Sequence, residues 1–373
     1  MADGVALLRL SRSDRAAARA RLRELPAEEL ASACQELRPE TRSEFLMLVE
    51  RPEEVVPLLP EAELVQTVRA GGMSEAAWLL ELATTEQRLA CFDLDAWTGD
   101  ELSLVRVGEW FDALIEAGRP TLLRALEEID LELVILALRA ETAVAVVAKE
   151  DEPPEGAYTP DGVVYFTVAG DTSPHRMHEI AGTLREQAEP LYWRLVYGLL
   201  FEPTPNLEED ALRWRTSRLA DLGFPDREQA MRAYRPLRPE GAAQHAPDPA
   251  AGALVQRITL PRQLRGSLLG EALGALPPER AVDVLGYVLG VANSLAVADG
   301  LSLSDPESVP RALEKAVRGI DAGLRALGTA RGQSADQVLE RTAPLDLFRV
   351  GATGDPGLRR PAPPASSEES AES

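Results

Sequence analysis

Histidine, cysteine and aromatic residues are scarce in this chain, and each scarcity narrows what it can do. Its 373 residues include three histidines and two cysteines, and aromatics make up 5%. Three histidines leave little material for imidazole acid–base or triad chemistry. Neither Cys34 nor Cys91 stands in a CxxC pair, so zinc-ribbon and thiol-redox motifs are missing. Cys34 falls on the apolar stripe of an expected helix and Cys91 lies within Leu89-Ala90-Cys91-Phe92. Both read as small buried hydrophobes, with a disulfide between them left open. With few aromatics, the core has to be built from Leu, Val and Ala, which favours helix because Leu and Ala lose little rotamer freedom there.

Long apolar runs are missing as well. None approaches the roughly 18 residues that span a bilayer, and Val5-Ala6-Leu7-Leu8 ahead of Arg9 is too short for a signal-peptide core. Two thiols in an acidic chain without a leader point to a reducing compartment. The expectation is a soluble cytoplasmic protein with no membrane insertion.

Net positive charge is absent too. Sixty-one acidic residues against 39 basic ones give a net charge of −22 and a sequence pI near 4.7. That field repels phosphate backbones and anionic lipid surfaces, so no nucleic-acid partner is expected. A cationic protein or a divalent metal remains compatible with it, and its ordinary role is solubility. Only the first residues are locally basic, with Arg9, Arg12, Arg15, Arg19, Arg21 and Arg23. They are expected to meet the chain's own acidic surface. No GxGxxG, P-loop, GxSxG or SxxK pattern occurs in a fitting context, so no cofactor is expected. Gly286 and Gly290, four apart on one helix, read as points of close helix packing.

What the sequence does contain is short amphipathic helices. Leu30, Cys34 and Leu37 share one helical face. So do Leu64, Val65 and Val68; Trp78 and Leu82; Val107, Trp110, Phe111 and Leu114; and Leu131, Val134, Ile135 and Leu138. Each stripe covers two or three turns, too few to stand alone. Leu25-Pro26-Ala27-Glu28-Glu29-Leu30 recurs 34 residues later as Leu59-Pro60-Glu61-Ala62-Glu63-Leu64, a spacing that suits one helical hairpin per unit. Leu276-Pro277-Pro278-Glu279-Arg280 is a looser copy. Proline in a first turn and glutamates just after it both suit a helix start.

The expected fold is mainly α. Stacked helical hairpins form a superhelix over residues 1–150. A linker with a short β-hairpin follows over 151–172, then a helical bundle over 173–350 with a loop at 236–253, and a disordered tail over 351–373. The hairpin pairs Val163–Val168, the one convincing strand, with Ala157-Tyr158-Thr159 across Pro160-Asp161-Gly162. Ser173-Pro174 reads as the next helix start.

Candidate chemistry is sparse. His175 and His178 with Glu179 match neither zinc-protease order; they read as a two-histidine metal site or, more simply, as exposed residues of a first turn. His245 falls in the loop. Asp93, Asp95, Asp100 and Glu101 cluster around Trp97 but fail the EF-hand pattern, since Trp97 and Thr98 stand where a ligand and the turn glycine belong. They are metal candidates or a solvated loop, with Asp100 or Ser103 capping the next helix. The most unusual segment starts at Asn206, whose pairing with Glu209 resembles a capping box. Its helical face carries Glu208, Leu212, Arg215, Leu219 and Leu222, with Arg218 and Asp221 flanking it. Two charges on an apolar stripe require partners. They make either an interhelical ion network or a binding site.

Leu207-Glu208-Glu209, Arg213-Trp214-Arg215, Arg218 through Asp226, Tyr234-Arg235-Pro236-Leu237, Ala298-Asp299-Gly300 and Leu347-Phe348-Arg349-Val350-Gly351 resemble an uncharacterised bacterial family, unknown-function family 6178. That resemblance implies no activity. The Leu-Pro-x-x-Glu-Leu hairpins are similar to the N-terminal helical superhelix of MgtE magnesium transporters, which implies a cytosolic acidic domain linked to Mg²⁺ sensing. The transporter's membrane segments and nucleotide-binding modules have no counterpart here. The leading expectation is a non-enzymatic scaffold or regulatory module binding an unknown protein partner. A divalent-cation sensor and an enzyme centred on Glu208, Arg215 and Arg218, with His175 or His178 moving protons, are the alternatives. No oligomeric state follows from these patterns.

Overall fold

A computed structural model describes residues 3–148, 152–168, 175–243 and 262–360. Backbone contacts divide the chain into two compact units, Met1–Arg215 and Thr216–Ser373.

The first unit opens with α1 (Gly4–Ser13) and α2 (Arg15–Arg23), capped by Asp3 and Asp14. Two of the six arginines expected to meet the chain's own acidic surface do so: Arg12 pairs with Glu44 at 3.2 Å and Arg23 with Glu50 at 2.6 Å. Next come α3 (Ala27–Gln35), α4 (Pro39–Leu46), α5 (Pro52–Val55), α6 (Glu61–Gly71), α7 (Trp78–Leu82) and α8 (Thr85–Asp95). The repeated motif starts α3 and α6 identically. Pro26 and Pro60 are the N-cap residues, one position earlier than a first-turn proline, and the carbonyl of each accepts from the backbone N–H three and four residues on. Glutamates then occupy the positive end of the helix. Packing is successive, with α4 on α6 and α6 on α8, which buries faces that short helices could not stabilise alone. Leu30, Cys34, Leu37, Leu64, Val65 and Val68 are all buried. Trp78 and Leu82 are only half-buried. Leu79 and Leu80 form the core of α7 instead, because one helical turn presents adjacent residues to its neighbours.

A small hairpin follows, β1 (Trp97–Thr98) with β2 (Glu101–Leu102), turning at Gly99 with φ 61°. Ser103 caps α9 (Leu104–Glu116), and α10 (Arg119–Glu128) and α11 (Leu131–Glu141) complete the run. Val107, Trp110, Phe111, Leu114, Val134, Ile135 and Leu138 are buried.

The expected β-hairpin is only partly found. β4 (Val164–Val168) pairs antiparallel with β3 (Thr142–Val146), which directly follows α11. The 157–159 segment contributes one bridge, Tyr158 to Phe166. Asp161 shapes the turn, its carboxylate accepting from the N–H groups of Val163 and Val164, each at 2.8 Å, and from the Tyr192 hydroxyl. Burial opposes ionisation of Asp161, but these donors prevail and hold its carboxyl below the usual range. Since β3 and β4 belong to one sheet, residues 151–172 do not separate domains. The unit continues through α12 (His175–Gln187) and α13 (Glu189–Phe201) into α14 (Thr204–Asp221), within which the division falls. The Ser173-Pro174 start and His245 lie outside the described residues.

The second unit is a helical bundle of α15 (Arg227–Ala230), α16 (Leu268–Ala275), α17 (Pro278–Ala298), α18 (Ser308–Arg331), α19 (Ala335–Arg341) and α20 (Pro344–Gly354). α18 packs on both α17 and α20. The tightest approach is between α18 and α20, where a Cβ built on Gly323 would stand 2.0 Å from the Leu347 carbonyl oxygen. Nothing lies within 4 Å of a Cβ on Gly290, so the close packing expected there is found at Gly319, Gly323 and Gly351. Contrary to the expectation of no bilayer-length run, α17 is long and apolar enough to cross a membrane by length and composition. Half of its apolar window is buried, with Val284, Val288, Ala292 and Leu295 in the core. Packing also runs past the expected limit at Val350: α20 ends at Gly354, and a 3₁₀ turn at Pro356–Leu358 buries Leu358. Residues 361–373 of the expected tail lie outside the described residues.

Candidate functional site

The charged segment singled out in the sequence is α14, and its buried edge is rotated from the expected one. The helix starts at Thr204, so Asn206 sits inside the first turn and no capping box forms with Glu209. Leu207, Ala211, Arg215 and Leu219 are buried at four-residue spacing, whereas Glu208, Glu209, Asp221 and Leu222 are exposed. Glu208 and Arg215 therefore share no buried face. Arg213 pairs with Asp210 at 2.8 Å and lies against the exposed Trp214 ring. Arg218 is half-buried. Only Arg215 is deeply placed. Its Nε donates to the Asp93 carbonyl at 2.8 Å, an Nη donates to the Gly99 carbonyl at 3.1 Å, and the guanidinium stacks over Trp97. These contacts tie α14 to the end of α8 and to the β1–β2 turn.

The acidic cluster is dismantled by the fold. Asp95 is buried and accepts from Arg69, from Arg106 at 2.8 Å and from the Trp110 indole N–H at 2.9 Å. Asp93 is also buried, whereas Asp100 and Glu101 are exposed on the hairpin. Among the described residues no group of three or more His, Cys, Asp or Glu side chains gathers as a metal ion requires. The local order Asp-x-Asp put these residues close in sequence, but α8 and the β1–β2 turn face them different ways.

Among the described residues the histidines join no such group either. His175 is exposed at the start of α12, and the His178 ring packs on Tyr158 with centroids 4.2 Å apart. Glu179 is held by Arg119 at 3.1 Å.

The feature that sequence reasoning missed is the outer face of α13. Its inner face, with Tyr192, Leu195, Val196 and Leu199, packs on α11 and α12. Gly198 admits the Ile135 side chain where a Cβ would otherwise stand. Arg139 of α11 donates to the carbonyls of Gly198, Leu199 and Glu202 and to the Thr204 hydroxyl. It thereby satisfies the orphan carbonyls and the negative end of α13. On the rigid helix so anchored, Trp193, Tyr197 and Phe201 recur every four residues and are 43%, 59% and 66% exposed. The Tyr197 and Phe201 rings touch, with centroids 5.2 Å apart. Beside them a groove of about 400 Å³ runs between α11, α13 and the start of α14. Ile135 and Leu207 supply apolar lining, and Glu132, Glu202 and Asp210 stand there against Arg194. The signal was present in sequence: residues 189–201 are apolar around nearly the whole helix, more than one packing face can absorb.

Comparison with known proteins adds a family but no activity. No curated protein and no solved structure matches the chain. The likeness to the MgtE superhelix therefore rests on the repeat pattern alone. A family model described as a family of unknown function, DUF6178, matches residues 19–366. The chain belongs to that family.

Proposed function

We propose that this protein is a non-enzymatic helical scaffold that binds another protein through the aromatic face of α13. The observation that carries the reading is the ladder of Trp193, Tyr197 and Phe201, exposed on a helix whose opposite face is fixed by packing and by Arg139. Exposed aromatic patches of this kind mark interaction surfaces, and Trp and Tyr dominate the energetics of protein interfaces. A preformed ladder limits the side-chain entropy lost on association. The flanking carboxylates Glu132, Glu202 and Asp210 favour a partner segment that brings apolar side chains together with Lys or Arg. The two buried thiols accord with work in a reducing compartment.

The test is photocrosslinking from position 194, beside the ladder, in the native host, with and without Tyr197→Ala and Phe201→Ala in affinity purification. A defined partner should crosslink at 194 and fall at least tenfold in recovery with the double variant. A Met47→Ala variant, at another exposed apolar position, should retain it. Identical recoveries from all three proteins would exclude the α13 face as the binding surface.

A further inference from the structure

The second unit carries a feature independent of α13. Three of the segments on which the family resemblance rests meet there. Tyr234, in a 3₁₀ turn at Met231–Tyr234, donates its hydroxyl hydrogen to Asp299, the residue that ends α17. The Tyr234 ring packs edge-on against Phe348. Lys315 of α18 closes the triangle, donating to the Tyr234 hydroxyl and, at 2.8 Å, to Asp299. Burial, together with the bond to Asp299, pushes the Tyr234 hydroxyl above its ordinary range, so it remains a donor.

Two clefts lie against this triangle and share Arg359 and Arg360. One, of about 420 Å³, is also lined by Tyr234, Arg235 and Arg349. The other, of about 470 Å³, is also lined by Arg311, Glu314, Lys315 and Arg318. Seven cationic side chains thus surround the pair of clefts, and Glu314 is the only carboxylate among the lining residues. This occurs in a chain of net charge −22. Some of the cations are used internally: Lys315 by Asp299, Arg349 by Asp346 and Arg311 by Asp305. The Arg360 Nε donates to the Ala298 carbonyl, which fixes the group at the junction. The guanidinium groups of Arg235, Arg318 and Arg359 have no hydrogen bond or ion pair among the described residues.

Unpaired guanidinium groups gathered at one site repel one another, and an anion relieves that repulsion. Their planar forks match tetrahedral phosphoryl oxygens and bind them bidentately. Two contiguous clefts joined by two arginines suit two linked anionic groups better than one. The surrounding negative charge disfavours a long polyanion such as nucleic acid and leaves a compact ligand.

We infer that the paired clefts at Arg359 and Arg360 bind a small molecule through a diphosphate or triphosphate group. Arg318 and Arg359 grip the phosphoryl oxygens in the second cleft, and Arg235 reaches the same ligand from the first.

The test is titration calorimetry of the full chain with sodium diphosphate, orthophosphate and citrate at matched ionic strength. Diphosphate should bind one to one and at least tenfold more tightly than orthophosphate or citrate. Arg318→Ala combined with Arg359→Ala should weaken it at least tenfold while leaving the ligand-free thermal melt unchanged, because neither guanidinium holds a hydrogen bond or ion pair among the described residues. Arg19→Ala with Arg23→Ala, in the basic first helices, should leave binding intact. Absence of heat at 10 mM diphosphate would overturn the site, as would equal affinity in the Arg318/Arg359 variant. Citrate binding as tightly as diphosphate would overturn the phosphoryl assignment.

Discussion

The Arg215 guanidinium stacks over the Trp97 indole, 5.0 Å from its centroid, while bonding the carbonyls of Asp93 and Gly99. One side chain of α14 thereby satisfies main-chain oxygens at the end of α8 and in the β1–β2 turn. Arg215→Ala removes these charge-assisted bonds, a loss of about 3 kcal/mol. Against a typical total of roughly 5–15 kcal/mol, that is severe. Arg215→Lys keeps the charge but loses the planar fork and the stacking, and should still cost about 2 kcal/mol. Urea unfolding of the two variants checks both values. A loss below about 0.5 kcal/mol for the alanine variant, the size of an ordinary surface change, would refute the docking role.

Glu128 supplies the pH-dependent contact. Burial opposes its ionisation, but bonds from Arg88 and the Thr85 hydroxyl outweigh that and hold its carboxyl below the usual range. A folded pKa below the unfolded one means the contact contributes stability above the unfolded value, near 4.5, and loses it as pH falls through the folded value. Glu128→Gln should therefore lower the urea midpoint at neutral pH, with the gap from the parent closing as pH falls through the folded value. A gap that stays constant across this range would show that the carboxylate charge is not what stabilises the contact.

How far the sequence announced these features depends on what each one bonds to. Val107, Trp110, Phe111 and Leu114 could be read because a helical face is a local pattern, and all four are buried. Arg215 was visible as a charge on an apolar stripe, but its bonds to the Asp93 and Gly99 carbonyls leave no trace in residue types. Glu208 was misplaced because the buried edge of α14 follows a four-residue ridge from Leu207 rather than from Glu208. β3 was missed because Thr142 follows Glu141 with no turn residue between them, and its partner strand comes about two dozen residues later. The clefts around Arg359 gather residues from four stretches of the chain, so no spacing rule could assemble them. The ladder of Trp193, Tyr197 and Phe201 went unread, although its residues stand four apart on one helix and the pattern is local.

The two thiols should be inert in the folded protein. Burial, only partly offset by Arg42, pushes the Cys34 thiol up to about 12, and burial likewise raises Cys91. At pH 8 the Cys34 thiolate fraction is then roughly one part in ten thousand. Both are free and buried, so a disulfide reagent should label neither within minutes under native conditions and both promptly in denaturant. Rapid native labelling of one cysteine would mean that its helix opens far more readily than its packing implies.

Two glycines of the second unit should respond oppositely to the same substitution. In Gly323→Ala the new methyl would stand 2.0 Å from the Leu347 carbonyl oxygen, a backbone atom that cannot rotate away. α18 and α20 must then separate, costing about 1–3 kcal/mol. Gly290, in the interior of α17, has open space where its Cβ would be. There the methyl meets nothing, and the gain in helix propensity should stabilise by about 0.5–1 kcal/mol. Urea midpoints should move down for Gly323→Ala and up for Gly290→Ala. Midpoints moving the same way would mean that the α18–α20 contact is looser than the glycine spacing requires.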